Sequence, residues 1–243
     1  MEPKYLKSIS KHPRNYKNEI GRRAIVIGAT GATGGQLIKQ LVTGEQWVKV
    51  TSLVRRPWCG DDPKKKINEV IIDSFENLES TKKLWEGHDI FFNCIGTTRK
   101  LAGSAKEFVS IEHGISLMAA KLAYEANIPH VSLISASGAN YKQISVDWFH
   151  PLLYIKTIGQ KEQTVIANYK FKRVSIFRPG MLVRSIYQNS IAANLKESLG
   201  LGLKVSTLAQ SMIRDAESNK NINDYESPIY YIGNSCIKKT TKL

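Results

Sequence analysis

Cysteines and long apolar runs are scarce in this sequence of 243 residues. The three cysteines, Cys59, Cys94 and Cys236, form no Cys-x-x-Cys pair, which argues against a disulfide framework or zinc site and favours a reducing compartment. The five histidines are scattered, so no metal site is expected. The longest apolar runs, such as 24–27, are far too short to cross a bilayer. The sequence therefore predicts no transmembrane segment and a soluble or peripheral protein.

Acidic residues are also in the minority, with 21 Asp and Glu against 35 Lys and Arg and a net charge of +14. The excess fits either a solvated basic surface, as in the mitochondrial matrix, or an acidic partner such as RNA, anionic lipid or another protein. Residues 1–23 alone hold seven basic residues and two acidic ones. They predict a basic, weakly structured arm, which lacks the apolar core of a secretory signal but could be a mitochondrial targeting segment.

Apolar strand-like runs alternate with segments of helical spacing over residues 24–180. This alternation predicts the α/β class, with a Rossmann-type, doubly wound parallel sheet that is covered by helices on both faces. The predicted strands are 24–28, 48–54, 69–73, 90–94, 130–134 and 173–177, and the predicted helices are 31–42, 78–85, 105–127 and 152–168.

The alternation ends near residue 180. We expect residues 181–243 to complete the same domain as a small C-terminal helical subdomain, with helices at 186–199 and 205–216 and a short strand at 229–232. In Rossmann enzymes such a segment usually forms the substrate side.

A glycine-rich turn follows the first strand and opens the first helix. Gly28 permits a tight turn, Gly31 allows the backbone to approach a pyrophosphate, and Gly34 allows close packing of helix on sheet. The helix N-terminus then offers N–H groups to the phosphates. The strand–turn–helix context favours a dinucleotide site over a turn that only connects. The predicted cofactor-binding residues here are Gly28, Thr30, Gly31, Ala32, Thr33 and Gly34.

The end of the second strand has no Asp or Glu to hold the ribose hydroxyls of NAD, and carries Arg55 and Arg56 instead. Guanidinium groups suit a 2′-phosphate, so NADP(H) is favoured over NAD(H), unless the arginines only form a solvated loop. Asp73, at the end of the third strand, is predicted to meet the adenine edge or else to cap the next helix.

Four stretches of this sequence resemble the HIV Tat-interacting-protein family, atypical short-chain dehydrogenases that bind NADPH. They are the glycine turn, the arginine pair, residues 93–99 and residues 177–180, and the similarity extends from about residue 22 to 217. The resemblance implies a hydroxyl that orients a carbonyl at Ser135 and a proton donor at Tyr154. It also implies cofactor contacts at Ile95, Gly96, Thr97, Tyr154, Pro179 and Leu182.

The family's catalytic pair is broken in this sequence. The family places a lysine four residues after the tyrosine, which lowers the tyrosine pKa and holds the nicotinamide ribose, but this chain has Ile158 there. Lys156 is expected on the far side of the helix, whereas Lys161, seven residues after the tyrosine, returns to the same face but a second turn away. Whether either lysine replaces the missing one stays open at this stage.

Three functions compete. The favoured one is an NADP(H)-binding, catalytically degenerate protein that serves as an accessory subunit of a mitochondrial complex resembling respiratory complex I. It would lie on the matrix side, or alternatively in the cytoplasm, and would contact protein subunits, with the arm as one candidate contact. The second is an active NADPH-dependent oxidoreductase of a small carbonyl substrate. The third, a nucleic-acid or regulatory binder, is disfavoured because no aromatic cluster accompanies the basic residues.

Overall fold

The computed structural model describes residues 20–184, 202–218 and 227–242, together with the backbone of 6–8. Eight of its strands form one sheet. In chain order these are β1 Leu6–Ser8, β2 Arg22–Ile27, β3 Trp47–Val54, β4 Ile67–Ile72, β5 Ile90–Asn93, β6 His130–Ile134, β7 Arg173–Arg178 and β10 Ile229–Ile232. A separate short pair consists of β8 Leu182–Val183 and β9 Leu203–Lys204.

The strand order is β1-β4-β3-β2-β5-β6-β7-β10, and all neighbours are parallel except β1, which lies antiparallel to β4 at one edge. The chain winds outward from β2 in one direction and from β5 in the other. A crevice therefore opens between the carboxyl ends of these two strands, which is where ligands bind in doubly wound sheets.

Helices cover both faces of the sheet because the strands are apolar on both sides and need burial. One face packs against α1, α6 and α7, and the other against the 3₁₀ helix, α4 and α5, which confirms the predicted Rossmann-type fold. The bounds are α1 Ala32–Thr43, the 3₁₀ helix Phe75–Trp85, α2 Arg99–Ala102, α3 Ala105–Val109, α4 Ile115–Glu125, α5 His150–Asn168, α6 Val205–Glu217 and α7 Gly233–Thr240.

One predicted helix needs correction. Residues 105–127 form α3 and α4 with a π-helical turn between them, Ser110–Gly114. Such turns often mark functional positions, and this one carries Glu112, whose side chain is buried rather than solvated. The predicted helix 186–199 lies outside the described residues. No helix of the described part of the chain is long and apolar enough to cross a membrane.

The C-terminal elements continue the same layers. β10 pairs in parallel with β7, and α6 lies against α1, where the Gln40 side chain donates a hydrogen bond of 3.0 Å to the Ser206 carbonyl.

Candidate functional site

Gly28 directly follows β2 in a conformation that only glycine adopts easily. Its φ is +78°, and a β-carbon there would lie 2.5 Å from the carbonyl of Cys94 at the end of β5. The Gly31 amide donates a 3.0 Å hydrogen bond to the Gly28 carbonyl and closes the turn. No side chain therefore projects from Gly28 into the space between the ends of β2 and β5.

Gly34 sits in the first turn of α1 against the same carbonyl. A β-carbon on Gly34 would lie 2.1 Å from the Gly28 oxygen, so any side chain would push the helix off the strand. The first turn of α1 carries no acidic residue. Its N–H groups and helix dipole therefore favour an anion, and the bare turn beside them fits a pyrophosphate.

Two adjoining cavities, of about 440 and about 360 Å³, flank this turn and share part of their walls. The larger one lies toward the end of β3, and the smaller one toward β6 and α5. Of the predicted cofactor residues, those that line one or both cavities are Gly28, Thr30, Gly31, Ala32, Thr33, Arg55, Arg56, Ile95, Gly96, Thr97, Tyr154, Pro179 and Leu182.

The larger cavity ends at two exposed arginines. Arg55 and Arg56 follow β3 directly, and the Arg55 guanidinium carbon lies 5.5 Å from the centroid of the Phe75 ring, which also lines the cavity. Asp73 is exposed and is not part of either wall. The 3₁₀ helix is capped by Ser74, whose hydroxyl accepts a 3.1 Å hydrogen bond from the Glu76 amide.

Ser135 and Tyr154 both line the smaller cavity. The Ser135 hydroxyl donates to the buried carboxylate of Glu162, which also binds the Arg178 side chain through two hydrogen bonds. The proton of Ser135 is therefore directed at Glu162 and away from the cavity.

Tyr154 is mostly buried, with its ring 6.0 Å from that of Phe108. Burial raises the pKa of its phenol, the negative charge of Glu112 raises it further, and the positive charge of Arg184 lowers it. At neutral pH Tyr154 is therefore a protonated phenol.

Ile158 lies on the cavity wall, where the lysine of the family pair would be. Lys156 does not line either cavity. Lys161 does: it is 1% exposed, and its Nζ donates to the Ile95 carbonyl at 2.9 Å and lies 3.4 Å from Glu112 Oε2. Of the two lysines that the sequence left as candidates to replace the family lysine, Lys161 lines the smaller cavity and Lys156 lines neither cavity.

Sequence reasoning missed two charged residues of these walls, Glu112 and Arg184. Glu112 Oε1 accepts a 2.6 Å hydrogen bond from the Thr97 amide. A charged residue on the apolar side of a predicted helix was the available signal for Glu112. Arg184 lies two residues after the expected cofactor contact Leu182, and no sequence pattern singled it out.

A bare glycine turn at the switch point of a doubly wound sheet, joined to a cavity that holds serine and tyrosine, defines a nucleotide-binding protein of the short-chain-dehydrogenase type. Residues 28–206 match the family described as NAD(P)H-binding, and the chain belongs to that family.

Similar proteins agree with this assignment and with the family resemblance. Protein HTATIP2 of Rattus norvegicus is 34% identical over 163 residues, which are 67% of this chain and 63% of that protein, slightly under two thirds of its length. The mitochondrial protein FMP52 of Debaryomyces hansenii is 34% identical over 171 residues, covering 70% of this chain and 71% of that protein.

Solved structures share the fold alone. A double mutant of the dTDP-glucose 4,6-dehydratase DesIV from Streptomyces venezuelae, with NAD and DAU bound, aligns with a TM-score of 0.62 at 16% identity over 90% of this chain and 79% of that one. The UDP-glucuronic acid 4-epimerase from Bacillus cereus, in complex with NAD, aligns with a TM-score of 0.59 at 14% identity, over 82% and 74%.

Proposed function

We propose that this protein binds NADP(H) and retains the nucleotide without effective hydride transfer, as an accessory subunit of a mitochondrial assembly. The observation that carries the proposal is Ile158, an apolar side chain on the cavity wall at the position of the family lysine. Most of the residues expected to bind the nucleotide line the two cavities, whereas the lysine that would lower the pKa of Tyr154 is absent from position 158.

The choice of NADP(H) is supported by the exposed guanidinium groups of Arg55 and Arg56 at the end of β3. A 2′-phosphate accepts charge-assisted hydrogen bonds from both, while a ribose diol would meet no carboxylate there. The turn from Gly28 to Gly34 would hold the pyrophosphate, and the smaller cavity the nicotinamide half. Asp73 would contribute only at the adenine edge.

Catalysis requires a proton at the carbonyl oxygen when a nicotinamide supplies hydride. Tyr154 is the donor that the resemblance implies, but burial and Glu112 raise its pKa above the ordinary value for tyrosine. A phenol of raised pKa is a weak acid and, in the reverse direction, a base that is almost never ionised. Ser135 does not compensate, because its hydroxyl donates to Glu162.

The cellular role is supported by the relatives named mitochondrial and by the net charge of +14. We propose the matrix side of the organelle and protein subunits as partners, with the N-terminal arm as one contact. Native gels of mitochondrial extracts test this role, since the protein should migrate in a large complex. Migration as a free monomer, or recovery outside mitochondria, would contradict it.

Turnover decides the catalytic part of the proposal. Purified full-length protein should bind NADPH yet oxidise it only at background rates with panels of aldehydes and quinones. The substitution Tyr154→Phe should not lower that background rate. Turnover at ordinary dehydrogenase rates that Tyr154→Phe abolishes would refute the proposal. It would support the second candidate, an active NADPH-dependent reductase, which the position of Tyr154 on the wall of the smaller cavity favours.

A further inference from the structure

Lys161 shares one helix face with the residues of the broken pair. Tyr154, Ile158 and Lys161 are spaced i, i+4 and i+7 along α5, and all three line the smaller cavity. The Lys161 backbone lies roughly 10 Å along the helix axis from Tyr154, where a residue at i+4 would lie about 6 Å away. Side chains tilt toward the N-terminus of their helix, so Lys161 leans back toward the cavity.

Among the described residues, the hydrogen bonds of Lys161 leave one of its donors without an acceptor. An ammonium group has three N–H donors, and two of them have partners, the Ile95 carbonyl and Glu112. No third acceptor pairs with Nζ among residues 20–184, 202–218 and 227–242. Since Lys161 is only 1% exposed, a donor without a partner is costly unless a ligand accepts its hydrogen bond.

Glu112 joins this lysine to the segment that follows β5. One carboxylate oxygen accepts from the Thr97 amide at 2.6 Å, and the other lies 3.4 Å from the Lys161 ammonium. The Ile95 carbonyl accepts a 2.9 Å hydrogen bond from the same ammonium. Residues 95–97 and Lys161 are therefore joined by hydrogen bonds, and all of them line the smaller cavity, which the glycine turn also lines at Gly31.

We propose that Lys161 is a nucleotide-binding residue that donates to the hydroxyls of the nicotinamide-side ribose, in the place of the lysine that Ile158 has replaced. This inference rests on the nucleotide binding proposed above. The family lysine holds the nicotinamide ribose and lowers the pKa of the tyrosine. Lys161 would take over the first task from a position one turn further along α5, but not the second. Within the described part of the chain, the charges that shift the pKa of Tyr154 are those of Glu112, which raises it, and Arg184, which lowers it, and Lys161 is not one of them.

The test compares two ligands by calorimetric titration of the full chain. NADPH carries the nicotinamide-side ribose, whereas 2′,5′-ADP carries only the adenosine half. The variants are Glu112→Gln and the double variant K161M/E112Q, so that no buried carboxylate is left unpaired in either, and Lys156→Met serves as the matched control outside the cavity. Thermal unfolding of each variant checks that it folds.

Loss of a hydrogen bond from a charged donor predicts that K161M/E112Q binds NADPH roughly ten- to a hundredfold more weakly than E112Q. Binding of 2′,5′-ADP should change less than about twofold, and Lys156→Met should affect neither ligand. Unchanged NADPH affinity, or equal weakening for both ligands, would overturn the role of Lys161 and leave the proposed function intact. Failure of the unmodified protein to bind NADPH would overturn the proposed function itself.

Discussion

A β-carbon on Gly34 would lie 2.1 Å from the carbonyl oxygen of Gly28, so α1 and the end of β2 touch through bare backbone. This contact brings the N-terminus of α1 to the crevice between β2 and β5. The anion site of this protein depends on it, because the helix N–H groups reach the crevice only when the helix packs this closely.

The same contact predicts that Gly34→Ala weakens nucleotide binding. The new methyl group must displace α1, and overpacking of this kind lowers the free energy of unfolding by about 1–3 kcal/mol. NADPH affinity should fall roughly tenfold or more. Gly35→Ala is the matched control, because its β-carbon would meet the Ala29 carbonyl oxygen at an ordinary 3.5 Å. Equal affinities for the two variants would show that the close contact is not needed.

Arg55 and Arg56 should set the preference for NADP(H). Replacing both with alanine removes the charge-assisted hydrogen bonds to a 2′-phosphate, each worth about 1.5–3 kcal/mol, so NADPH affinity should fall by at least roughly tenfold. NADH affinity should stay within about twofold. The exposed Lys142, far along the chain, provides a control substitution to alanine for the general loss of positive charge. An equal loss of NADH affinity would mean that Arg55 and Arg56 do not recognise the 2′-phosphate.

Ile158→Lys should restore part of the missing chemistry. An ammonium beside Tyr154 favours the phenolate and lowers the pKa of the phenol. Each unit by which the pKa falls raises the phenolate fraction about tenfold at neutral pH. Alcohol oxidation with NADP⁺, measured against pH, should therefore rise and shift toward lower pH relative to Ile158→Met. A folded lysine variant that is no more active would show that Ile158 does not limit catalysis.

Acid should destabilise the fold through His88. Burial lowers the pKa of this imidazole to about 4, although a hydrogen bond to the Trp85 carbonyl opposes the shift. The unfolded chain then binds a proton near pH 6.5 that the folded state binds only near pH 4. Between those values stability falls as pH falls, by up to roughly 3 kcal/mol.

Urea unfolding at pH 7.5 and pH 5 measures this loss, and His88→Gln should reduce it. His130 acts in the same direction, because burial lowers the pKa of this imidazole too. The His88→Gln variant should therefore keep part of the pH dependence of stability. A variant with the full pH dependence of the unmodified protein would remove His88 as its source.

The layered architecture could be predicted because it follows from local patterns. Apolar runs such as β2 and helical spacing such as that of α1 report burial directly, and the observed bounds of α1 and β10 differ little from those expected. The π turn at Ser110–Gly114 was not predicted, since its residues keep the apolar period of a helix on either side.

The sequence by itself determined the glycine turn, the arginine pair after β3 and the loss of lysine at position 158, because each depends on residue type at a fixed spacing from a strand or tyrosine. Only the tertiary structure decided that Lys161, and not Lys156, lines the cavity. It also decided that the Thr97 amide donates to Glu112 and that the Ser135 hydroxyl donates to Glu162. Those pairs join residues that are far apart in the chain. Their distances are fixed by how α5 and the π turn pack on the sheet, which no local spacing encodes.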